Sequence, residues 1–483
     1  MKILMAASEA YPYCKTGGLG DVTGALSQIF AEDEKNEVVL FIPRYKTLNL
    51  GSFSPKSVPG SFVVPVNGKH KRVSLSKASR GRLSVYFVDN KQYFNRDGVY
   101  RDSYGDFGDN DERFIFFSRA VLEGAKFIDF KPDIVHCHDW QTGLVPAYLK
   151  TVYSSDAFYT FASSVLTVHN IAYQGIFPAD AMNKAGISFA DFTADKFEFY
   201  GNMNFLKAGL VYADRITTVS PSYAEEIKNR YGFGYRLEGL LRARSNVLSG
   251  VLNGIDSGIW NPADDPFLKK KYCAKNFRAG KEANKTALQK ELGLTQDKNK
   301  ILAGIVSRMD YQKGLDIILR TATEFSDKIQ FVVLGSGDEW LSEGFRLLAA
   351  QYPQRFSFSR NFDEPLAHRI YAASDIFLMP SRFEPCGLSQ MIAMRYGALP
   401  VVTNTGGLRD TVTKDKNGFV IDGAEDDKMR SVLGHIVSMY KWKETWGNMV
   451  SDAMGGDYSW SRSSKSYMDI YGRLIEEKNR MAF

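Results

Sequence analysis

Apolar residues along this chain fall into short runs, separated by longer stretches in which they recur every three or four positions. The runs predict strands at Lys2–Ala7, Val38–Pro43, Leu83–Asp89, Ile134–His138, Val165–His169 and Ile216–Ser220. Helical spacing between them predicts Leu19–Phe30 and Asn110–Phe127, the latter with Phe114, Phe117, Val121 and Ala125 on one face. Strands alternating with helices make a parallel sheet covered on both sides. The pattern breaks near 245–255, where Val251–Asp256 reads as a strand end and turn, and a charged stretch from Pro266 to Lys300 follows. A second series then begins. Its strands are Ile301–Val306, Ile329–Leu334, Arg355–Ser359, Ile376–Met379, Pro400–Thr403 and Phe419–Ile421. Its helices are Gly314–Phe325, Trp340–Tyr352, Leu366–Ser374, Gly387–Tyr396 and Asp426–Tyr440. The expectation is an α/β chain of two doubly wound domains, 1–250 and 251–457.

A chain of 483 residues is long enough for two or three cores, and 44% hydrophobic with 24% charged residues is a globular balance. The 61 basic and 55 acidic residues leave a net charge of +6 with no Lys/Arg run, which argues against nucleic acid as a partner. No apolar run approaches the roughly 20 residues of a membrane span. The N-terminus lacks the longer apolar region of a signal peptide. The four cysteines, Cys14, Cys137, Cys273 and Cys386, lie far apart, which speaks against a zinc site or a disulfide framework and fits a cytoplasmic protein. Aromatics reach 13%, which suits stacking on sugar rings or bases, or equally a bulky core.

In open parallel sheets ligands bind beyond the carboxyl ends of the strands, so the polar residues there carry the chemistry. The first strand is followed by Lys15-Thr16-Gly17-Gly18-Leu19-Gly20-Asp21-Val22. Adjacent glycines let the backbone approach a ligand, the helix start favours an anion, and Lys15 adds a full charge. A tight strand-to-helix turn with a surface lysine explains the same residues. His136-Cys137-His138-Asp139-Trp140 and Thr167-Val168-His169-Asn170 close two further strands. Either His138, Asp139 and His169 line a polar pocket, or the histidines are satisfied in the core; a metal lacks a third ligand at useful spacing. Asp109-Asn110-Asp111 has the look of a metal-binding D-x-D, but it opens a helix, where acidic residues favour the dipole and cap the end. In the second half, Arg308 and Lys313 flank a turn before a helix and are suited to clamp a diphosphate. Gly335-Ser336-Gly337-Asp338, Ser381–Leu388 with Glu384, and Thr405-Gly406-Gly407 are further strand-end turns.

Taken in order, Lys15–Val22, Asp109–Phe114, His138-Asp139-Trp140, Thr167–Gly175, Asn253-Gly254-Ile255-Asp256, Ser307–Gly314, Ser381–Leu388 and Thr405-Gly406-Gly407 resemble bacterial glycogen synthases and plant starch synthases. The likeness runs from residue 2 to about 475. It implies two Rossmann-like domains of the GT-B type facing across a deep cleft, with a last helix, Tyr458–Asn479, crossing back to the first domain. It implies transfer of glucose from ADP-glucose to the 4-hydroxyl at the non-reducing end of an α-1,4-glucan, glycogen or maltooligosaccharide, with retention. By the same resemblance Arg308 and Lys313 bind the diphosphate and Glu384 faces the anomeric carbon. His169 and Asp139 join them as catalytic residues, and Asp139 and Asn253 complete the glucose pocket. Lys15, Gly17, Gly18, Asp21, Asn253, Phe362, Cys386, Gly387, Leu388, Thr405, Gly406 and Gly407 are expected on the donor, Phe362 stacking on adenine where the family often has tyrosine. His138, Trp140 and Asn170 are expected on the acceptor.

Many retaining GT-B enzymes carry a second glutamate eight residues after the first; here that position is Ile392. No covalent nucleophile stands out, so front-side transfer is expected. No cofactor and no metal are expected. A UDP-glucose transferase is the sister reading, and a glucan-binding scaffold comes from another class, disfavoured because Lys15, Arg308, Lys313 and Glu384 are intact. A phosphorylase would need a lysine-bound pyridoxal phosphate, and nothing resembles one.

Overall fold

The computed structural model describes residues 1–361 and 363–481, with Ser52 and Met481 described by backbone alone. Packing divides the chain into two units. The first comprises 1–219, 224–251 and 463–481, and the second 220–223 and 252–462.

The first unit is built on β1 (Lys2–Ala6), β2 (Glu37–Pro43), β3 (Lys69–Arg80), β4 (Leu83–Asp89), β5 (Ile134–His138), β6 (Ser163–Val168), β7 (Arg215–Thr218) and β8 (Leu248–Gly250). Their order across the sheet is β8-β7-β6-β5-β1-β2-β4-β3, parallel from β8 to β4 and antiparallel between β4 and β3. Parallel strands covered on both faces need continuous apolar runs, and Ile3, Leu4 and Met5 of β1 are fully buried. Two helices matter most. α1 (Gly18–Glu32) follows β1 directly, and α2 (Asn110–Phe127) is buried nearly all round, Ile115 and Phe116 as completely as Phe114, Phe117 and Val121.

The chain winds outward from β1 in one direction through β2 and β4, and in the other through β5, β6 and β7. The reversal falls between β1 and β5, the place where open sheets hold ligands. The C-terminal helix, Trp460–Met481, belongs to this unit from Ser463 onward. Its Tyr467 and Tyr471 pack on Phe30 of α1, and the Tyr471 hydroxyl meets His136 Nδ1 at 2.6 Å.

The apolar runs do not anticipate the antiparallel edge. β3 and its partners Lys56–Ser57 and Phe62–Val66 are charged and alternating, because only one of their faces is covered. The Asp109-Asn110-Asp111 segment is structural, but through two ion pairs and a side-chain hydrogen bond rather than capping. Asp109 pairs with Arg96, Asn110 holds the buried Arg113 at 2.6 Å, and Asp111 meets Lys184 at 2.7 Å, while the helix end has no side-chain cap.

The second unit carries β9 (Ile301–Val306), β10 (Ile329–Leu334), β11 (Phe356–Ser359), β12 (Ile376–Met379), β13 (Leu399–Thr403) and β14 (Phe419–Ile421), all parallel in the order β11-β10-β9-β12-β13-β14. The reversal here falls between β9 and β12. Leu302 of β9, Val332 and Leu334 of β10, and Leu366 and Ile370 of the following helix form its core with Leu288. The charged stretch 266–300 contains the helix Phe277–Glu291, in which Lys281 and Lys285 turn inward. Lys281 Nζ donates to the carbonyls of Ala372 and Tyr396 at 3.1 and 3.0 Å, and Lys285 pairs with Asp375 at 2.7 Å. These charges satisfy helix-end carbonyls and the half-buried Asp375 carboxylate, which accounts for part of the stretch's charge.

Candidate functional site

Each unit presents one set of polar groups at the carboxyl ends of the two strands flanking its reversal. In the first unit, β1 leads through Ser8 and Glu9 to the Lys15–Gly18 turn. Glu9 is buried, and its carboxylate accepts from the Thr16 backbone N–H, from the Thr16 hydroxyl at 2.7 Å and from the Tyr100 hydroxyl at 2.6 Å. A carboxylate is thus sunk beneath the turn to hold its shape. Sequence reasoning missed Glu9 and Tyr100; the one available signal was an acidic residue just past a fully apolar strand.

Lys15 lies 2.8 Å from Asp21, both partly exposed. Helix α1 begins after Gly17 without a side-chain cap, leaving its first N–H groups without that partner. A Cβ built on Gly17 or Gly18 would meet nothing within 4 Å, so no protein neighbour demands glycine there. The space is open at a helix start, as a cradle for an anion requires.

β5 pairs with this turn's strand, and β6 pairs with β5. Asp139 adopts φ 56°, a conformation that few residues other than glycine and asparagine or aspartate tolerate. The turn aims its carboxylate at the end of β6, where Oδ1 accepts from the His169 backbone N–H at 2.6 Å and the Asn170 N–H adds a second bond. Burial nonetheless pushes the Asp139 carboxyl up to about 7, and holds the His169 ring down at about 3.

His138 corrects an expectation. It is fully buried, with its ring Nδ1 3.0 Å from His169 Nε2, and cannot touch an acceptor. The reason is that β5 is central, covered on one side by β1 and on the other by β6. Trp140 is likewise wedged among Phe114, Phe177 and Phe205, a packing role in place of a sugar platform. The Asn170 side-chain oxygen accepts from Ala172 N–H at 3.0 Å and shapes the local turn.

In the second unit, β9 leads to Arg308 and Lys313 and β12 to Glu384. Asp310 organises the first of these loops. One of its carboxylate oxygens accepts from the Lys313 backbone N–H at 3.1 Å, and the other lies 3.3 Å from Arg308. The Arg308 side chain remains 56% exposed. Lys313 Nζ meets Glu384 Oε2 at 2.6 Å, both largely buried, and the Ser381 hydroxyl donates to the same oxygen at 3.1 Å. Asp310 and Ser381 are further groups that sequence reasoning did not single out.

Asn253 is buried with its Oδ1 unpartnered among the described residues, and its backbone N–H faces the Cys386 sulfur, whose thiol burial pushes up to about 12. Gly406 and Gly407 differ from Gly17 and Gly18. A Cβ there would come within 1.9 Å of the Glu384 carbonyl and 2.4 Å of the Cys386 carbonyl, and Gly407 N–H is bonded to Glu384 and Pro385 oxygens at 3.3 and 3.2 Å. They seat the Glu384 loop. Thr405 is buried just before them, and Gly387 and Leu388 lead into α3 (Ser389–Arg395), where the Gln390 amide caps the Cys386 and Gly387 carbonyls at 3.0 and 2.9 Å. Ile392 is buried in that helix. Phe362 lies outside the described residues. Among the described residues no group of three His, Cys, Asp or Glu side chains is placed to hold a metal ion, and no helix is long and apolar enough to cross a membrane.

Around Asp139 and His169 the first set is hydrogen-bonding, suited to hydroxyl groups, while Lys15 and the start of α1 add positive potential. The second is ionic, suited to a diphosphate and to charge that develops during bond cleavage. Comparison with known proteins gives this arrangement a class. Residues 2–243 match the family model described as the starch synthase catalytic domain, and 284–448 match glycosyl transferases group 1. The catalytic domain of starch synthase IV from Arabidopsis thaliana, bound to ADP and acarbose, has a TM-score of 0.90 at 33% identity over 98% of this chain and 99% of that one. Sucrose-phosphate synthase from Thermosynechococcus elongatus shares the fold at a TM-score of 0.62 and 16% identity over 99% of both. The molecule is a glycosyltransferase of the GT-B type, made of two Rossmann-like domains.

Relatives narrow the class. Glycogen synthase of Elusimicrobium minutum is 48% identical over 99% of this chain and 100% of its own, and that of Geobacillus thermodenitrificans is 42% identical over 99% of each. The chain belongs to the glycogen and starch synthase family.

Proposed function

We propose that this protein transfers glucose from ADP-glucose to the 4-hydroxyl at the non-reducing end of an α-1,4-glucan, with retention, in the cytoplasm. The observation that carries the reading is the placement of Arg308, Lys313 and Glu384 at the two adjacent strand ends of the second unit's reversal. ADP-glucose asks for two kinds of group, cations for its diphosphate and hydrogen-bonding groups for its sugar hydroxyls. Arg308 and Lys313 hold the diphosphate and neutralise charge on the departing ADP. Glu384 faces the positive charge that develops at the anomeric carbon, and Asn253 accepts from a glucose hydroxyl. Asp139 and His169 bind glucose hydroxyls, and the start of α1 with Lys15 supports a phosphate oxygen. The acceptor O4 attacks from the face the diphosphate leaves: the C1–O bond to phosphate breaks, the C1–O4 bond forms, and the acceptor proton passes to the leaving phosphate oxygen. The cations do this work without a metal or cofactor.

The test is nucleotide release from ADP-glucose and UDP-glucose, with and without glycogen. Glycogen-dependent ADP release is expected. Release of UDP alone would move the protein to a sister activity, and silence with both donors would favour a glucan-binding scaffold. A glucosyl-enzyme adduct trapped on any side chain would overturn front-side transfer.

A further inference from the structure

His138 and His169 end the neighbouring strands β5 and β6, and their rings meet Nδ1 to Nε2 at 3.0 Å. Burial keeps both rings neutral, holding His169 at about 3 and His138 well below its ordinary value. A neutral imidazole carries one N–H, so the contact runs in one of two directions. If His169 donated, His138 would hold its proton on Nε2, an atom that is buried with no protein partner among the described residues. A stranded N–H is rarer and worse tolerated than an unfilled lone pair. The other direction puts the proton on His138 Nδ1 and uses His169 Nε2 as acceptor. His169 then carries its own proton on Nδ1, the ring nitrogen that makes no hydrogen bond among the described residues and is absent from the buried, unpartnered atoms.

Neither ring is at liberty to turn. The His138 backbone N–H donates to Thr142 Oγ1 at 2.7 Å, and its ring lies on that of His136 with centroids 4.2 Å apart. His136 is clamped by the Thr167 and Tyr471 hydroxyls, each at 2.6 Å, and the His169 backbone is tied to Asp139. We propose that His138 is a positioning residue that fixes His169 as the Nδ1–H tautomer, so that His169 offers the sugar a hydrogen-bond donor and never an acceptor. A sugar hydroxyl both donates and accepts, and a donor-only partner selects the orientation that leaves its oxygen lone pair toward His169. The direction of the ring contact stands on the structure alone; the sugar as its target rests on the function proposed above.

The experiment is a two-bond proton–nitrogen correlation on the full chain labelled with [15N]histidine, tractable with six histidines, with His169→Asn assigning the His169 signals. The expected result is the Nδ1–H tautomer of His169. His138→Asn, whose amide N–H stands near the place of Nδ1, keeps that tautomer and holds kcat within about threefold. His138→Leu gives a mixture of tautomers and lowers kcat about tenfold, with the donor KM changed less than about threefold. An Nε2–H tautomer in the wild type, or an unchanged His169 spectrum in His138→Leu, would overturn the proposal. Should His138→Leu fail to fold, the wild-type spectrum decides. Full turnover in His169→Asn would instead remove the sugar as target while leaving the tautomer in place.

Discussion

The two units present the same architecture to opposite chemistry. Both place their functional groups where the winding direction of a parallel sheet reverses. In the first unit, burial disfavours the charged forms of Asp139 and His169, and each is held by a backbone or ring hydrogen bond rather than by an ion. In the second, Lys313 and Glu384 pair at 2.6 Å and Arg308 projects beside Asp310. A glucose hydroxyl carries no charge and is best met by neutral groups of fixed direction. A diphosphate carries charge and is best met by cations. The difference teaches that the fold supplies the location, while the depth of burial decides which part of a substrate a location serves.

The largest expected effect tests the ionic side. Glu384→Gln should lower turnover by about a hundredfold to a thousandfold, the scale of removing one group preorganised for the transition state. ADP affinity by calorimetry should hold within a few fold. Surviving turnover would detach the ionic set from catalysis. Next, Arg308→Ala removes a charge-assisted contact from a largely exposed side chain. ADP binding is expected to weaken about tenfold to a hundredfold, more so at low salt, with an unchanged melting temperature. A shift in melting temperature instead would make Arg308 a structural residue.

Asp139 sharpens the neutral side. Its folded value near 7 lies above the ordinary 3.8, so the folded chain holds that proton more tightly than the unfolded one. The stabilising contribution is complete below 3.8 and is lost as pH rises through 7. Asp139→Asn has no such proton, so its stability relative to wild type should rise between pH 4 and 7, by an amount of the order of 1–4 kcal/mol. Thermal unfolding at several pH values would show it, and parallel curves would mean that the carboxyl is not held protonated.

The smallest effect separates two kinds of glycine. Gly18→Ala enters open space at a helix start and should leave stability unchanged or raise it by up to about 1 kcal/mol, while the donor KM rises. Gly407→Ala meets backbone and should destabilise by about 1–3 kcal/mol. The reverse outcome would make the first turn structural.

Strand positions were legible because buried parallel strands must be apolar on both faces. Ile134–His138, Ile301–Val306 and Ile376–Met379 stand where their runs predict them. β3 was not, since a strand with only one covered face reads as polar. The charge of Lys281 and Lys285 had no explanation in the sequence because nothing local to them announces the helix-end carbonyls and the carboxylate, contributed from some 90 to 115 residues away, that they satisfy. Glu9 escaped notice for the same reason: its partner Tyr100 lies 91 residues on.

By itself, then, the order of residues determined that this is a chain of two alternating α/β series with glycine turns, cations and carboxylates at the strand ends. Local hydrophobic spacing and turn chemistry are enough for that. Tertiary structure alone decided that β1 lies beside β5 and β9 beside β12, and with it which strand ends are neighbours. It also turned His138 inward at the end of β5 and left Gly18 open beyond β1, though the two strands have a similar pattern. Burial depends on what is packed alongside, and those neighbours come from distant parts of the chain.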